Sequence, residues 1–212
     1  MRKRIGLPIA LLASVLLGSV PASAQRAPMP AGSPADPDLR QAMRKLWADH
    51  VIWTRLYILS VIAGLPDAPA ALNRLMKNQE EIGNAIVPYH GAAAGQKLTD
   101  LLKQHISMAG ELFAAAKASD AAQLSAADKR WHDNAAEIAT FLSSANPNWT
   151  RAALLSMLNQ HLALTTQEAT ARLQKRWDDD VVKFDEIFQQ ALMMADALTN
   201  GILKQHPMPM RK

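Results

Sequence analysis

Residues 39–57, LRQAMRKLWADHVIWTRLY, place Leu39, Met43, Leu46, Trp53 and Tyr57 at steps of three and four, with His50 in the same row. That spacing is the 3.6-residue period of a helix that turns one face toward a core. No stretch of similar length alternates apolar with polar residues, and the helix formers Ala, Leu, Gln and Lys are abundant. The reading is an all-α fold.

Capping and breaking residues divide the rest of the chain. Asp36 caps and Pro37 opens a first helix that Gly64 ends after Ala63. Asp67 and Pro69 open a second, stopped by Pro88 and Gly91, and a third covers about Ala93 to Lys117. A fourth follows Ser119-Asp120 to about Ser143, where Asn146-Pro147-Asn148 breaks it. Thr150 caps a fifth. Thr165-Thr166-Gln167-Glu168 matches a capping box, in which a hydroxyl and a carboxylate satisfy each other's free backbone N–H groups. The fifth helix is therefore expected to end near Leu162 and a long sixth to run from Thr166 to about Lys204, with one uninterrupted helix as the alternative. Short connections favour antiparallel neighbours, so residues 38–205 are expected to form an up-and-down bundle of about six helices. No repeat with a period of about 20–50 residues is evident.

The N-terminus reads as a targeting segment. Arg2, Lys3 and Arg4 precede an uncharged run from Ile5 to Val20, and Ala22-Ser23-Ala24 supplies a small-x-small cleavage site. This is the layout of a secretory signal peptide over residues 1–24, cut before Gln25. The run is short for a membrane span, which needs about 20 apolar residues. Residues 25–37, with Pro28, Pro30 and Pro34, read as a disordered linker, and 206–212 as a flexible tail. The expected location is the periplasm or the exterior, with no stable membrane insertion after cleavage.

Removing the leader changes the charge argument. It carries three of the 23 Lys and Arg and none of the 19 Asp and Glu, which leaves 20 against 19. A near-neutral chain has no electrostatic basis for holding nucleic acid. With no Cys there are no disulfides, thiolate metal sites or covalent haem attachment.

Whatever chemistry there is must come from polar residues that interrupt the apolar rows. His50, His105 and His161 each stand in such a row, on the first, third and fifth helices. Gln79 and Asn134 do the same on the second and fourth. Asp178, Asp185 and Asp196 lie near the edge of the row on the sixth, built from Val181, Phe184, Phe188, Ala191, Ala195, Leu198 and Ile202. A single core histidine is most simply one whose ring nitrogens find hydrogen-bond partners. Three on separate helices raise a second reading, because bundles build metal sites from facing helices and neutral imidazole is a common ligand. His50, His105 and His161 with Asp185 or Glu168 would suit zinc or copper. Asp178-Asp179-Asp180 reads as a solvated charge run. His206-Pro207-Met208-Pro209-Met210 holds soft ligands but reads more simply as a frayed end. No Glu-x-x-His, His-Glu-x-x-His, phosphate loop or nucleophile–base pair is present, so no catalytic residues are assigned.

Between Leu46 and His206 the chain resembles a widespread family of small bacterial proteins without an established activity. The resemblance rests on residues 46–55 (LWADHVIWTR), 78–86 (NQEEIGNAI), 134–139 (NAAEIA), 146–149 (NPNW) and 161–165 (HLALT). Met194-Ala195-Asp196 with Gly201-Ile202 completes it. Members are sometimes labelled acetylglutamate kinase or glycosyltransferase. Such a kinase needs an α/β sheet and Gly-rich phosphate loops, and the 9 Gly here form none. The resemblance thus implies a helical fold without a mechanism. It also leads one to expect an aromatic before the last Pro of the pattern, where this chain has His206.

Three functions compete on this reading. The first is an exported, non-catalytic protein holding a metal ion or small ligand among the three histidines. The second is a structural or interaction module whose buried polar residues fix helix register. The third is a non-covalent haem-binding bundle.

Overall fold

The computed structural model describes residues 37–207, with side chains from Leu39 onward. Backbone contacts divide the chain after Pro30, and every described residue lies in the second unit. The expected signal peptide, the expected linker up to Asp36, the expected Asp36 cap and residues 208–212 lie outside the described residues. Within them are five helices and no strand: α1 Pro37–Ala63, α2 Ala68–Lys117, α3 Ala121–Ala145, α4 Arg151–Leu173 and α5 Trp177–Gln205. The all-α reading holds.

Five helices stand where about six were expected, because α2 spans the second and third. It is bent back on itself at Gly91, whose φ of 82° and ψ of 165° are non-helical. The limbs 68–90 and 92–117 then run antiparallel. Pro88, expected in a loop, is instead inside the first limb. It deprives only the Asn84 carbonyl of a donor, and Asn84 and Pro88 are both exposed to water. Pro147 does lie in the connection between α3 and α4.

The second difference lies between α4 and α5. Helix α4 runs straight through the expected capping box and stops at Gln174, where Lys175 takes a left-handed φ of 58°. Thr165 Oγ1 donates to the His161 carbonyl (2.9 Å), and Glu168 is drawn inward to Arg55. A local capping signal has lost to a tertiary ion pair.

The limbs form a closed ring. Asn78 on α2 donates to the Leu46 carbonyl of α1 (3.0 Å), and Lys103 joins the two limbs of α2 through Glu80 (2.6 Å). Asn134 on α3 reaches back to Leu101 on α2 (3.1 Å), and Arg151 on α4 to Thr140 on α3 (2.9 Å). Gln190 on α5 bonds the Met157 carbonyl of α4 (2.9 Å). Arg40 and Arg44 on α1 both hold Asp196 on α5 (3.0 and 3.1 Å), which closes the ring.

These contacts expose a repeat that the sequence conceals. His50, His105 and His161 are 55 and 56 residues apart, each on the first limb of a helical hairpin. Three residues before them stand Trp47, Leu102 and Leu158; one residue after, Val51, Ile106 and Leu162. On the second limbs the amides Asn78, Asn134 and Gln190 are followed four residues later by Ile82, Ile138 and Met194. All are buried. The described residues are one hairpin used three times, with a period of 55 to 56 residues, just longer than the about 20–50 residues of common repeat arrays.

The first two hairpins meet through glycine. A Cβ on Gly83 would lie 1.9 Å from Thr99 Oγ1 and 2.6 Å from the Gly95 carbonyl, so the limbs of α2 touch backbone to backbone. Gly83→Ala is expected to lower stability by roughly 1–3 kcal/mol through overpacking. Thr99→Ala should restore only part of the loss, because the Gly95 carbonyl cannot withdraw. Gly91→Ala meets no atom within 4 Å and should cost about 1–3 kcal/mol from its backbone alone, since φ 82° with ψ 165° is a conformation essentially only glycine adopts. Urea unfolding measures all three, and a Gly83→Ala protein as stable as the parent would refute the close approach.

Candidate functional site: a buried histidine–amide layer

Each hairpin carries the same polar relay. His105 Nδ1–H donates to Asn134 Oδ1 (2.8 Å), and the Asn134 amide N–H donates to the carbonyl of Leu101, four residues before the histidine. His161 Nδ1–H donates to Gln190 Oε1 (3.1 Å), and Gln190 donates to the carbonyl of Met157, again four residues before. In the first copy Asn78 bonds His50 and donates to Leu46, once more four before. The amide N–H is held by a backbone carbonyl, which can only accept, and this fixes which end of the amide faces the ring. The proton therefore sits on Nδ1 of His105 and His161.

The first copy departs at one point. Gln79 stands where the other hairpins have Ala135 and Ala191. Its Nε2 lies 2.8 Å from the Leu75 carbonyl and 3.2 Å from both Asn78 Oδ1 and His50 Nδ1. Its Oε1 is buried without a partner.

The three rings converge. His50 and His161 are 5.7 Å apart between ring centroids, and His105 is close enough to both to interact electrostatically with them. Trp47 packs on His50 at 5.7 Å and Trp131 on His105 at 5.2 Å. All three histidines are only 3–4 % exposed. Burial is the main force on their protonation. It brings His50 and His105 down to about 3 and His161 to about 4, helped at His50 by the other two rings and opposed everywhere by the amide bonds. At neutral pH this layer is uncharged.

The expected metal set is assembled only in part. His50, His105 and His161 meet, but Asp185 is exposed on α5. Glu168 stands seven residues past His161, about 10 Å further along α4. Among the described residues no group of three or more His, Cys, Asp or Glu is placed to hold a metal ion. Below the histidines, on the side of Met43, Leu98 and Leu154, the axial core encloses ≈30 Å³, room for about one water molecule. A haem would require that core to open.

Above the histidines lies a charge cluster that the sequence reading missed. Arg55 Nη1 is 2.6 Å from Glu168 and 2.9 Å from Asp180, and Arg172 holds the other oxygen of Asp180 at 3.2 Å. Asp180, read as part of a solvated run, is 1 % exposed, and Glu168 is 2 % exposed. The Arg55 guanidinium also covers the Phe184 ring at 4.7 Å. Burial pushes the Glu168 carboxyl up to about 7 despite Arg55, and the neighbouring Asp180 adds to the rise.

No described helix is long and apolar enough to cross a membrane. Comparison with family models, with curated proteins and with solved structures yields no match to this chain.

Proposed function

We propose that the chain is an exported, non-catalytic helical module whose buried histidine–amide layer sets the register of three hairpins. The observation that carries this reading is the threefold relay: every imidazole spends Nδ1 on an amide, and every amide is anchored to the carbonyl four residues before its histidine. Sliding either limb by a turn would orphan a ring nitrogen and an amide together, at a cost of about 1–3 kcal/mol for each buried group. An apolar core would tolerate such slippage better, so the polar layer contributes specificity more than net stability. Neutral rings and a core with room for about one water molecule suit a scaffold better than a ligand chamber. The export reading rests on the leader, and N-terminal sequencing of the mature protein tests it: a chain that begins at Met1 counts against it.

The register role has its own test. His105→Leu alone is expected to destabilise by roughly 1–3 kcal/mol, because Asn134 Oδ1 loses its donor while still buried. His105→Leu with Asn134→Leu should recover most of that loss, while hydrogen exchange at the contact between α2 and α3 becomes less protected. Elemental analysis and a visible spectrum accompany both proteins. Stoichiometric metal or a haem band that disappears with His105→Leu while the fold persists would replace this reading with a ligand site.

A further inference from the structure

Four of the six histidines spend Nδ1 on a protein partner: His50, His105 and His161 in the layer, and His132 on the Asp128 carbonyl (3.0 Å). His90 and His206 do not. His90 is the last residue before the bend at Gly91, and His206 caps the C-terminus of α5. The fold brings them together at the end of the bundle beyond the apolar core, with ring centroids 5.9 Å apart and ring planes at 75°. The Nε2 atoms of both are buried and have no hydrogen-bond partner among the described residues. Tyr89 packs on His206 at 5.7 Å and Trp149 on His90 at 5.6 Å.

Two adjacent buried imidazole nitrogens without partners are costly unless something binds them. We propose that His90 and His206 together form a binding site for a monovalent copper ion, separate from the histidine–amide layer. The ligand type selects the ion. Both donors are nitrogen, which disfavours calcium and magnesium with their oxygen shells. Structural zinc takes four ligands, and among the described residues no third His, Cys, Asp or Glu joins this pair. Imidazole suits copper, and Cu(I), a filled-shell ion, accepts two nitrogen ligands in a near-linear arrangement. Bonds of roughly 2 Å from each nitrogen in that arrangement would set the two ring centres about 6 Å apart, close to the 5.9 Å observed. The aromatic walls of Tyr89 and Trp149 keep water from completing a larger shell.

The test is Cu(I) binding by the full mature protein under ascorbate, in competition with bicinchoninate, with tryptophan fluorescence as a second readout because Trp149 borders His90. One ion per chain is expected, with quenching of fluorescence. His90→Gln and His206→Gln should each weaken binding at least roughly tenfold, with helicity by circular dichroism unchanged. His105→Leu should bind as the parent does, which separates this site from the layer above it. So should the Met208→Leu/Met210→Leu protein. A parent protein that does not compete for Cu(I), zinc binding of equal strength, or binding that survives His90→Gln and is lost only with the two methionines, would overturn the assignment.

Discussion

Acidification is expected to unfold this bundle by about pH 4. The cause is the layer of His50, His105 and His161, whose folded proton affinities sit near 3, 3 and 4 against 6.5 for the free side chain. A base whose affinity is depressed by folding stabilises the fold above its unfolded value and loses that contribution as pH falls toward the folded one. Between pH 6.5 and 4.5 the unfolded chain therefore takes up three protons that the folded chain refuses. Glu168 works in the opposite sense, because its carboxyl is raised from 4.5 to about 7 and the folded state takes its proton first. The net difference is two protons, and at about 1.4 kcal/mol per proton and pH unit the loss over those two units is roughly 5 kcal/mol. Below pH 4.5 the opposition from Glu168 fades while His161 begins to take its proton in the folded state near 4, so the loss continues at roughly 3 kcal/mol per unit. A domain of this size has about 5–15 kcal/mol in all, so the transition falls near pH 4. Ellipticity at 222 nm against pH measures it. Native helicity and native near-ultraviolet signals retained at pH 3 would mean that the rings are not buried neutral. Replacing His161 and Gln190 together by Leu should move the midpoint lower, since one of the three acid-sensitive groups is then gone.

How much of this was legible in the sequence depended on whether a signal was local. The rows around Trp131, Asn134 and Ile138, and around Leu154, Leu158 and His161, read correctly because apolar and polar faces there are well separated. On α1 the reading was turned by about one residue. The buried face is Met43, Trp47, His50, Val51 and Ile58, whereas Leu46 and Tyr57 are only partly buried. That helix also carries Ile52 and Leu56 on its exposed side, so its hydrophobic period has no sharp phase. The histidines were visible as interruptions of apolar rows. Their partners Asn78 and Gln190 were not, because each pairing crosses between helices at 28 or 29 residues, far outside any helical period. The near-equal spacing of the three histidines, 55 and 56 residues, was the available clue. Asp180 was hidden among three consecutive aspartates, although only the third faces inward. Thr165 to Glu168 misled for the opposite reason: the local pattern was sound, and a distant Arg55 outweighed it.

Removing Arg55 is the substitution expected to do most damage, and its cost should depend on pH. Among the described residues Arg55 is the one cation hydrogen-bonded to Glu168, and it shares Asp180 with Arg172. In Arg55→Leu, Asp180 keeps Arg172, but Glu168 is left buried without a partner. Breaking such a pair on one side typically costs about 3–5 kcal/mol when the stranded group must stay charged. Glu168 has an escape, because a buried carboxyl can keep its proton. In the parent protein it is already raised to about 7, so folding favours its protonated form at low pH, and that contribution is lost as pH rises through 7. Above about pH 7.5 the parent should therefore have little further dependence from this group. Without Arg55 the folded affinity climbs further, and stability should keep falling by about 1.4 kcal/mol per unit beyond pH 7.5. Urea unfolding at pH 6.5 and pH 8.5 is then expected to give a small loss at the first and a loss nearer 3–5 kcal/mol at the second. Adding Glu168→Gln to Arg55→Leu should abolish the difference between the two pH values, since the stranded group can no longer ionise. An equal loss at both pH values, or a loss at pH 8.5 that Glu168→Gln leaves untouched, would show that Arg55 acts through its packing on Phe184 and not through the buried carboxylates.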